Sequence, residues 1–267
     1  MYLTAAIIII TTVFSYLGFR NERLVHKYSF SVGQTLRSKE YYRLLTSGFL
    51  HVNWLHLIIN MFALFSFGSG VEAHMGIVRM LLLYGGSIAG GNLFSLFIHK
   101  HQPCFSSVGA SGGVSGLVFA TIALFPEVKF FFIPLWIVGV VYVVYTFYAI
   151  RSQRQDIGHA AHLGGGLTGM TISLLFFPEM LRAHWLPIIC ILMPALALLW
   201  IMVFRPHLIY INKADVQRTY TMDDRYNIAK HTNEKEVNRI LEKINEHGIN
   251  SLTRKEKAIL EAYSQQT

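Results

Sequence analysis

The chain has 267 residues, of which 53% are hydrophobic and 14% charged, with a formal net charge of +8. This balance is typical of a protein whose solvent is the lipid bilayer, and it argues against a soluble globular fold. The positive charges lie in loops between apolar segments and in the tail, not on one face, so no nucleic-acid partner is expected.

Seven apolar segments are long enough to be membrane helices at a rise of 1.5 Å per residue. They lie near residues 2–19, 51–68, 76–98, 111–126, 129–150, 157–177 and 184–204. The first segment has no positive residue before its apolar core and no small-residue cleavage site, so we interpret it as a retained helix. The run from Ser111 to Phe125 is short for a full crossing, which predicts that this helix begins below the membrane surface.

Two further segments lie outside these helices. Residues 20–50 form a long connection in which aromatic residues alternate with charges, and we expect it to lie in the membrane interface. Residues 207–267 are polar, and Asn233–His247 carries apolar residues at helical spacing. Thr253 and Glu256 have the spacing of a capping box at the start of a second helix. The tail is therefore predicted to be a helical hairpin outside the bilayer that contacts a protein partner.

Three short stretches contain polar residues that could perform chemistry inside the membrane. His56 and Asn60 are four residues apart, so they share a helix face and can donate hydrogen bonds to one developing oxyanion. Ser111 lies at a glycine-flanked helix start, where backbone N–H groups also favour negative charge. His162 is the candidate base, since it lies in an apolar segment beside small residues. Together these residues predict a Ser–His dyad.

Each element of this pattern also has a purely structural interpretation. A serine in a membrane helix commonly bonds to a backbone carbonyl or stabilises helix packing, and Asn60 could link two helices. Ser115 lies in a second, overlapping Gly-x-Ser-Gly motif, and His159 lies one helical turn before His162. We favour Ser111 because its N–H is not committed to the helix ladder, and His162 because glycines follow it on the same face.

This combination resembles the rhomboid family of intramembrane serine proteases. The resemblance extends from about Tyr2 to Phe177 and rests on four motifs. These are Tyr42-Arg43, the His-x4-His-x3-Asn pattern that begins at His51, Gly109-Ala110-Ser111-Gly112, and the Ala-His-x2-Gly-x3-Gly pattern from Ala161 to Gly169. The resemblance implies an all-α, polytopic membrane helix bundle with a six-helix core.

The resemblance also implies a role for each matching residue. Ser111 would be the nucleophile and His162 the general base. His56, Asn60 and the backbone N–H of Ser111 would stabilise the oxyanion. Glu72 would brace the turn that follows its helix. The residues expected to have structural roles near the site are His51, Arg43, Glu72, Gly109, Gly112, Gly165 and Gly169.

These assignments predict a domain organisation. Residues 1–178 would form the catalytic core, residues 179–206 an extra transmembrane helix, and residues 207–267 the polar tail. Ser115 departs from the family pattern, because many relatives carry at that place an aromatic residue that packs on the catalytic histidine.

The predicted activity is hydrolysis of peptide bonds in or beside transmembrane segments, with no metal and no organic cofactor. The partners would be the bilayer and transmembrane-protein substrates. A zinc protease is disfavoured because Ala160 occupies the place of the glutamate in His-Glu-x-x-His. The alternatives are a non-catalytic rhomboid-like protein that binds transmembrane helices and, ranked last, a transporter with a histidine proton relay.

Membrane orientation receives two conflicting predictions. The family resemblance implies an active site that faces away from the cytoplasm. The compact architecture favours a multi-pass protein of the bacterial inner (plasma) membrane. The positive-inside rule gives the opposite orientation, because nine Lys and Arg residues lie in the loops on the active-site side and three on the other side. The three are Arg79, Lys129 and Arg182.

Overall fold

A computed structural model of the chain describes residues 2–151 and 158–204, and 239–240, 242–244, 252–253, 256–257 and 260 in the tail. The chain divides into two compact units, Met1–Gln217 and Arg218–Thr267. The larger unit contains the helix bundle and the candidate site. The domain division predicted above remains a prediction.

The larger unit is mainly helical. In chain order its described elements are α1 (Tyr2–Arg20), α2 (Glu22–Tyr28), β1 (Phe30–Ser31), α3 (Val32–Arg37), α4 (Arg43–Thr46), a 3-10 turn (Ser47–Phe49), α5 (Trp54–Met75), α6 (Ile77–His99), β2 (Ser106–Ser107), α7 (Ser111–Leu124), β3 (Lys129–Phe130), β4 (Ile133–Pro134), α8 (Leu135–Arg151), α9 (His159–Phe176), α10 (Glu179–Ala183) and α11 (Trp185–Phe204).

Each of the seven predicted apolar segments contains a helix, and the predicted bundle of membrane helices is confirmed. By length and composition, α1, α5 and α6 are the helices of the described part that could each cross a membrane. Shorter apolar helices cover Ser111–Leu124, Leu135–Thr146 and Trp185–Ile201.

Two of the predicted helices have boundaries different from those expected. Helix α5 begins at Trp54, not at residue 51, because Asn53 caps it by accepting a hydrogen bond from the His56 N–H, and it continues to Met75. Helix α8 begins at Leu135, because Lys129–Phe130 and Ile133–Pro134 pair as a short antiparallel hairpin before it.

The connection at residues 20–50 contains α2, α3 and α4. Its short strand β1 pairs antiparallel with β2, with Phe30 opposite Ser107. Phe30 is fully buried, and its ring packs edge-on against Phe105 at a centroid distance of 6.3 Å. The connection is therefore anchored to the loop that precedes α7. Its expected location in the membrane interface stays a prediction.

Helix α7 lies at the centre of the bundle. All its residues from Gly112 to Leu124 except Ser115 and Val118 are buried. Helices α5, α6 and α9 pack around it, and α1 packs outside α5. Helix α11 packs mainly on α8, in a second apolar cluster that includes Ile122, Val143 and Ile191. The start of α7 is thus held by several helices at once.

The β3–β4 hairpin projects three consecutive aromatic side chains. Phe130, Phe131 and Phe132 are 51%, 83% and 84% exposed. The hairpin joins the C-terminus of α7 to α8, so it lies at the end of α7 opposite Ser111.

The tail unit contains the predicted capping box. The Glu256 carboxylate accepts hydrogen bonds from the Thr253 N–H at 2.8 Å and from its hydroxyl at 2.9 Å, and the Glu256 N–H donates to Thr253 Oγ1. Lys243 donates to the same carboxylate at 2.9 and 3.0 Å. The hydrogen bonds from Thr253, followed by that from Lys243, lower the pKa of Glu256 to about 2. The described residues of Asn233–His247, 239–240 and 242–244, are helical; the others lie outside the described residues.

Candidate active site

Gly109 brings the loop before α7 against two of the candidate residues. Its φ of +145° lies in a region that L side chains rarely adopt. A Cβ atom at this position would lie 2.9 Å from His56 Cε1 and 3.5 Å from Ser111 Oγ. The Gly109 N–H donates to the backbone oxygen of Ser47 at 3.0 Å, which fixes the loop. Glycine is therefore required here for both conformation and space, and His56 and Ser111 converge on it.

His51 holds this loop in place through a hydrogen bond. The Ala110 N–H donates to His51 Nε2 at 3.3 Å, so Nε2 is an acceptor and the ring proton is on Nδ1. Nδ1 then donates to Ser15 Oγ at 2.9 Å, and Ser15 donates to the Phe49 oxygen at 3.0 Å. The His51 ring also packs edge-on against His56, with 4.9 Å between centroids. These contacts link α1 to the loop before Ser111.

His56 and Asn60 share a face of α5, as the spacing predicted. The Asn60 side-chain nitrogen donates to the His56 backbone oxygen at 2.9 Å, which orients the amide along its own helix. Asn60 is buried, while His56 is only partly covered. One of the two Asn60 N–H groups therefore remains for a ligand.

Glycines let α9 approach α7 at backbone contact. A Cβ atom on Gly165 would overlap the backbone of Gly112, and one on Gly169 would overlap the backbone of Gly116. The sequence offset is the same in both pairs, so the two helices run parallel in register. Ser111 precedes Gly112 by one residue and His162 precedes Gly165 by three, which places both at the same end of this helix pair.

The His162 ring is held by a residue of α8. Its Nδ1 lies 3.1 Å from the hydroxyl oxygen of Tyr142, and the two rings are tilted by 32°. Among the hydrogen bonds of the described residues there is none between Ser111 and His162. Catalytic hydrogen bonds are often long in unliganded enzymes and shorten when substrate binds.

The two alternative residues have different surroundings. Ser115 lies one turn inside α7, where its N–H belongs to the helix ladder. His159 begins α9, is 6% exposed, and packs edge-on against Tyr145 at 5.5 Å. His159 and His162 thus contact different tyrosines of α8.

Arg43 organises the first connection. Its side chain is 4% exposed and donates to Glu40 at 2.6 Å and to the backbone oxygens of His26 and Ser29 at 2.7 and 2.9 Å. The hydrogen bond from Arg43, followed by that from Tyr42, lowers the pKa of Glu40. Arg43 contacts the connection itself, and the structural role expected for it stays a prediction.

Glu72 contacts a different part of the molecule from the one expected. Its carboxylate accepts hydrogen bonds from the backbone N–H groups of Leu3 and Thr4 at 3.0 and 2.9 Å, and from the Thr4 hydroxyl at 2.6 Å. It therefore caps the N-terminus of α1, where N–H groups lack helix partners. At the turn after α5, the Glu72 backbone oxygen accepts a hydrogen bond from the Gly76 N–H at 2.9 Å.

Sequence reasoning missed Asn92 and Tyr142. Asn92 is 7% exposed and donates to the Leu44 oxygen at 2.8 Å and to Ser47 Oγ at 2.9 Å. Since the Ser47 backbone oxygen also accepts from the Gly109 N–H, Asn92 of α6 supports the loop before Ser111. An amide side chain within an apolar helix was the available signal. Tyr142 gave no such signal, because tyrosine is common in membrane helices.

Within the described residues, no group of three or more His, Cys, Asp or Glu is arranged to hold a metal ion.

Comparison with known proteins decides the family. The Rhomboid domain family matches residues 38–179, which is more than half of the chain. The chain belongs to the rhomboid family. A second match covers residues 220–266 and is to a family of unknown function, DUF6576.

Several curated rhomboid proteins are similar in sequence. The Rhomboid protein 1, mitochondrial, of Saccharomyces cerevisiae is 32% identical over 137 residues, covering 48% of this chain and 39% of that protein. RHOMBOID-like protein 12, mitochondrial, of Arabidopsis thaliana is 26% identical over 167 residues, covering 55% and 49%. The rhomboid protease AarA of Providencia stuartii is 28% identical over 211 residues, covering 68% and 74%.

The names of these relatives also concern the membrane in which the protein is expected to reside. The chain spans about half or less of the first two of these relatives. The rhomboid family and the apolar helices make this an integral membrane protein. The expected bacterial inner membrane is not supported, because two of these three relatives are named as mitochondrial.

Proposed function

We propose that this protein is an intramembrane serine endopeptidase with Ser111 as nucleophile and His162 as general base. The observation that carries the proposal is the convergence of His56 and Ser111 on Gly109, at the end of α7 where the paired glycines bring α9 closest. The rhomboid family match supports it, and its relatives include a named protease.

The proposed reaction follows from the atoms at this site. Ser111 Oγ attacks the carbonyl carbon of the substrate while its proton passes to His162 Nε2, and the carbonyl π electrons move to the oxygen. Collapse of this intermediate breaks the C–N bond, and Nε2 gives its proton to the departing amine. A water molecule then attacks the acyl carbon while His162 Nε2 takes its proton. The ester C–O bond breaks, and Nε2 returns this proton to Ser111 Oγ, which releases the acid and restores the serine.

Three groups are suited to stabilise the oxyanion. The Ser111 N–H belongs to the first turn of α7, where backbone N–H groups have no helix partner. His56 lies against the same loop, and Asn60 has an N–H beyond the one bonded to its own helix. Fixed donors of this kind in a site with little water contribute strongly to catalysis.

The proposed substrates are transmembrane segments of membrane proteins. A peptide bond must leave the helix ladder before a nucleophile can reach it, so helix-breaking or small residues near the bond are favoured. The polar tail is proposed to contact a protein partner through its apolar helical face.

Fluorophosphonate labelling of the purified full chain in detergent tests the proposal. Wild type is expected to take the label, as is Ser115→Ala, the matched control one turn along the same helix. Ser111→Ala and His162→Ala are expected to lose it. If folded wild type takes no label, the non-catalytic helix-binding alternative replaces the protease. If Ser115→Ala loses the label and Ser111→Ala keeps it, the nucleophile is Ser115.

A further inference from the structure

The Tyr142 hydroxyl lies at the ring nitrogen of His162 that faces away from the proposed proton transfer. The distance between the hydroxyl oxygen and Nδ1 is 3.1 Å, and Tyr142 comes from α8, a different helix from those that carry Ser111 and His162. Within the described residues no carboxylate forms a hydrogen bond with His162. The place that an aspartate occupies in a Ser-His-Asp triad is therefore taken by a phenol.

The chemistry of the base determines the direction of this hydrogen bond. For Nε2 to accept the serine proton it must hold a free lone pair, so in neutral His162 the proton is on Nδ1. Nδ1–H then donates to the Tyr142 oxygen, and a phenol can accept this bond while its own proton remains in place. The contact fixes the plane of the ring and, in this tautomer, gives Nδ1–H an acceptor.

Tyr142 is itself held in position. Its neighbour Val143 is 1% exposed and packs in the apolar cluster that α8 forms with Ile188 and Ile191 of α11. The Tyr142 ring packs partly buried against this cluster, and its backbone oxygen accepts a hydrogen bond from Thr146 Oγ1 at 2.9 Å. Helix α11 therefore supports, through α8, the residue that contacts the proposed base.

We propose that Tyr142 is a positioning residue, which fixes the orientation of the His162 ring and accepts the hydrogen bond of Nδ1–H while Nε2 acts as the base. The inference rests on the proposed function. Tyr142 takes no proton and forms no covalent bond; it accepts a hydrogen bond in every step, and this bond strengthens when His162 becomes positively charged.

Saturation kinetics of fluorophosphonate labelling test the inference on the purified full chain, with Tyr142→Phe and Tyr145→Phe compared to wild type. Tyr142→Phe keeps the ring and removes the acceptor. The maximal rate constant of labelling, kinact, is therefore expected to fall roughly 3- to 10-fold, the range for one net hydrogen bond. The reagent concentration that gives half of this rate, KI, is expected to stay unchanged. Tyr145→Phe is the matched control on the same helix, because its ring packs on His159 instead of His162. It is expected to keep both constants.

The possible outcomes separate this inference from the proposed function. An unchanged kinact for Tyr142→Phe, or a rise in KI alone, overturns the positioning role, as does an equal loss in both variants. If wild type itself takes no label, the protease proposal has failed and this inference fails with it.

Discussion

Gly116 of α7 and Gly169 of α9 face each other so closely that a methyl group on Gly169 would overlap the backbone of Gly116. Because the atoms in contact belong to the backbone, no change of side-chain rotamer can make room for an added methyl group. The spacing between α7 and α9, and with it the separation of Ser111 and His162, therefore depends on these glycines.

Gly169→Ala is expected to lower stability by at least the 1–3 kcal/mol typical of an overpacked core and to abolish fluorophosphonate labelling. Thermal unfolding in detergent and the labelling rate are the measurements. Gly70→Ala is the control, because a Cβ atom at Gly70 would meet nothing within 4 Å. A Gly169→Ala protein with wild-type unfolding temperature would contradict the close approach of the helices.

Gly109→Ala is expected to abolish labelling through two separable effects. The φ of +145° at this position costs an alanine about 1–3 kcal/mol, and the added methyl group would press on His56. Gly76 also has positive φ, but a Cβ atom there would meet nothing. Gly76→Ala should therefore lose stability while keeping its labelling rate per folded molecule. Equal labelling of the two variants would show that space around Gly109 is not required.

Sequence reasoning succeeded where the signal is local or repeats along one helix. The seven apolar segments each contain a helix, and the Thr253–Glu256 capping box is present as predicted. The site residues were selected by family motifs, and their roles stay predictions. The positioning of His162 by Tyr142 and the capping of α1 by Glu72 were missed, because they join separate helices. Periodicity within a helix carries no information on which residue of another helix it will meet.

Glu72→Gln is expected to destabilise the packing of α1 on α5. The amide lacks the charge and presents one acceptor oxygen in place of two, so hydrogen bonds from Leu3 and Thr4 weaken or are lost. Hydrogen bonds to charged groups contribute about 1.5–3 kcal/mol, which should appear as a lower unfolding temperature. Glu127→Gln, at an exposed position, is the control. Equal unfolding temperatures for the two variants would contradict the capping role.

The tail unit is expected to lose stability in acid because of Glu256. Its pKa is lowered to about 2 from a usual value of 4.5. The carboxylate therefore contributes fully above pH 4.5, and its contribution decreases as the pH falls and is lost as it passes through about 2. The methyl NMR signal of Ile240, which is fully buried, reports this loss in the full-length protein. Glu256→Gln should remove this pH dependence, and an unchanged acid transition in that variant would assign it to another group.

The length of α7 has a consequence for where a substrate would be cut. Its 14 residues extend about 21 Å, whereas the hydrocarbon core of a bilayer is about 30 Å thick. The exposed phenylalanines of the β3–β4 hairpin suit the interface at the far end of this helix. With that end at the membrane boundary, Ser111 lies about 9 Å inside the opposite boundary. The length of α7 would then set the depth of the scissile bond at about six helical residues below the membrane boundary, whatever the sequence of the substrate.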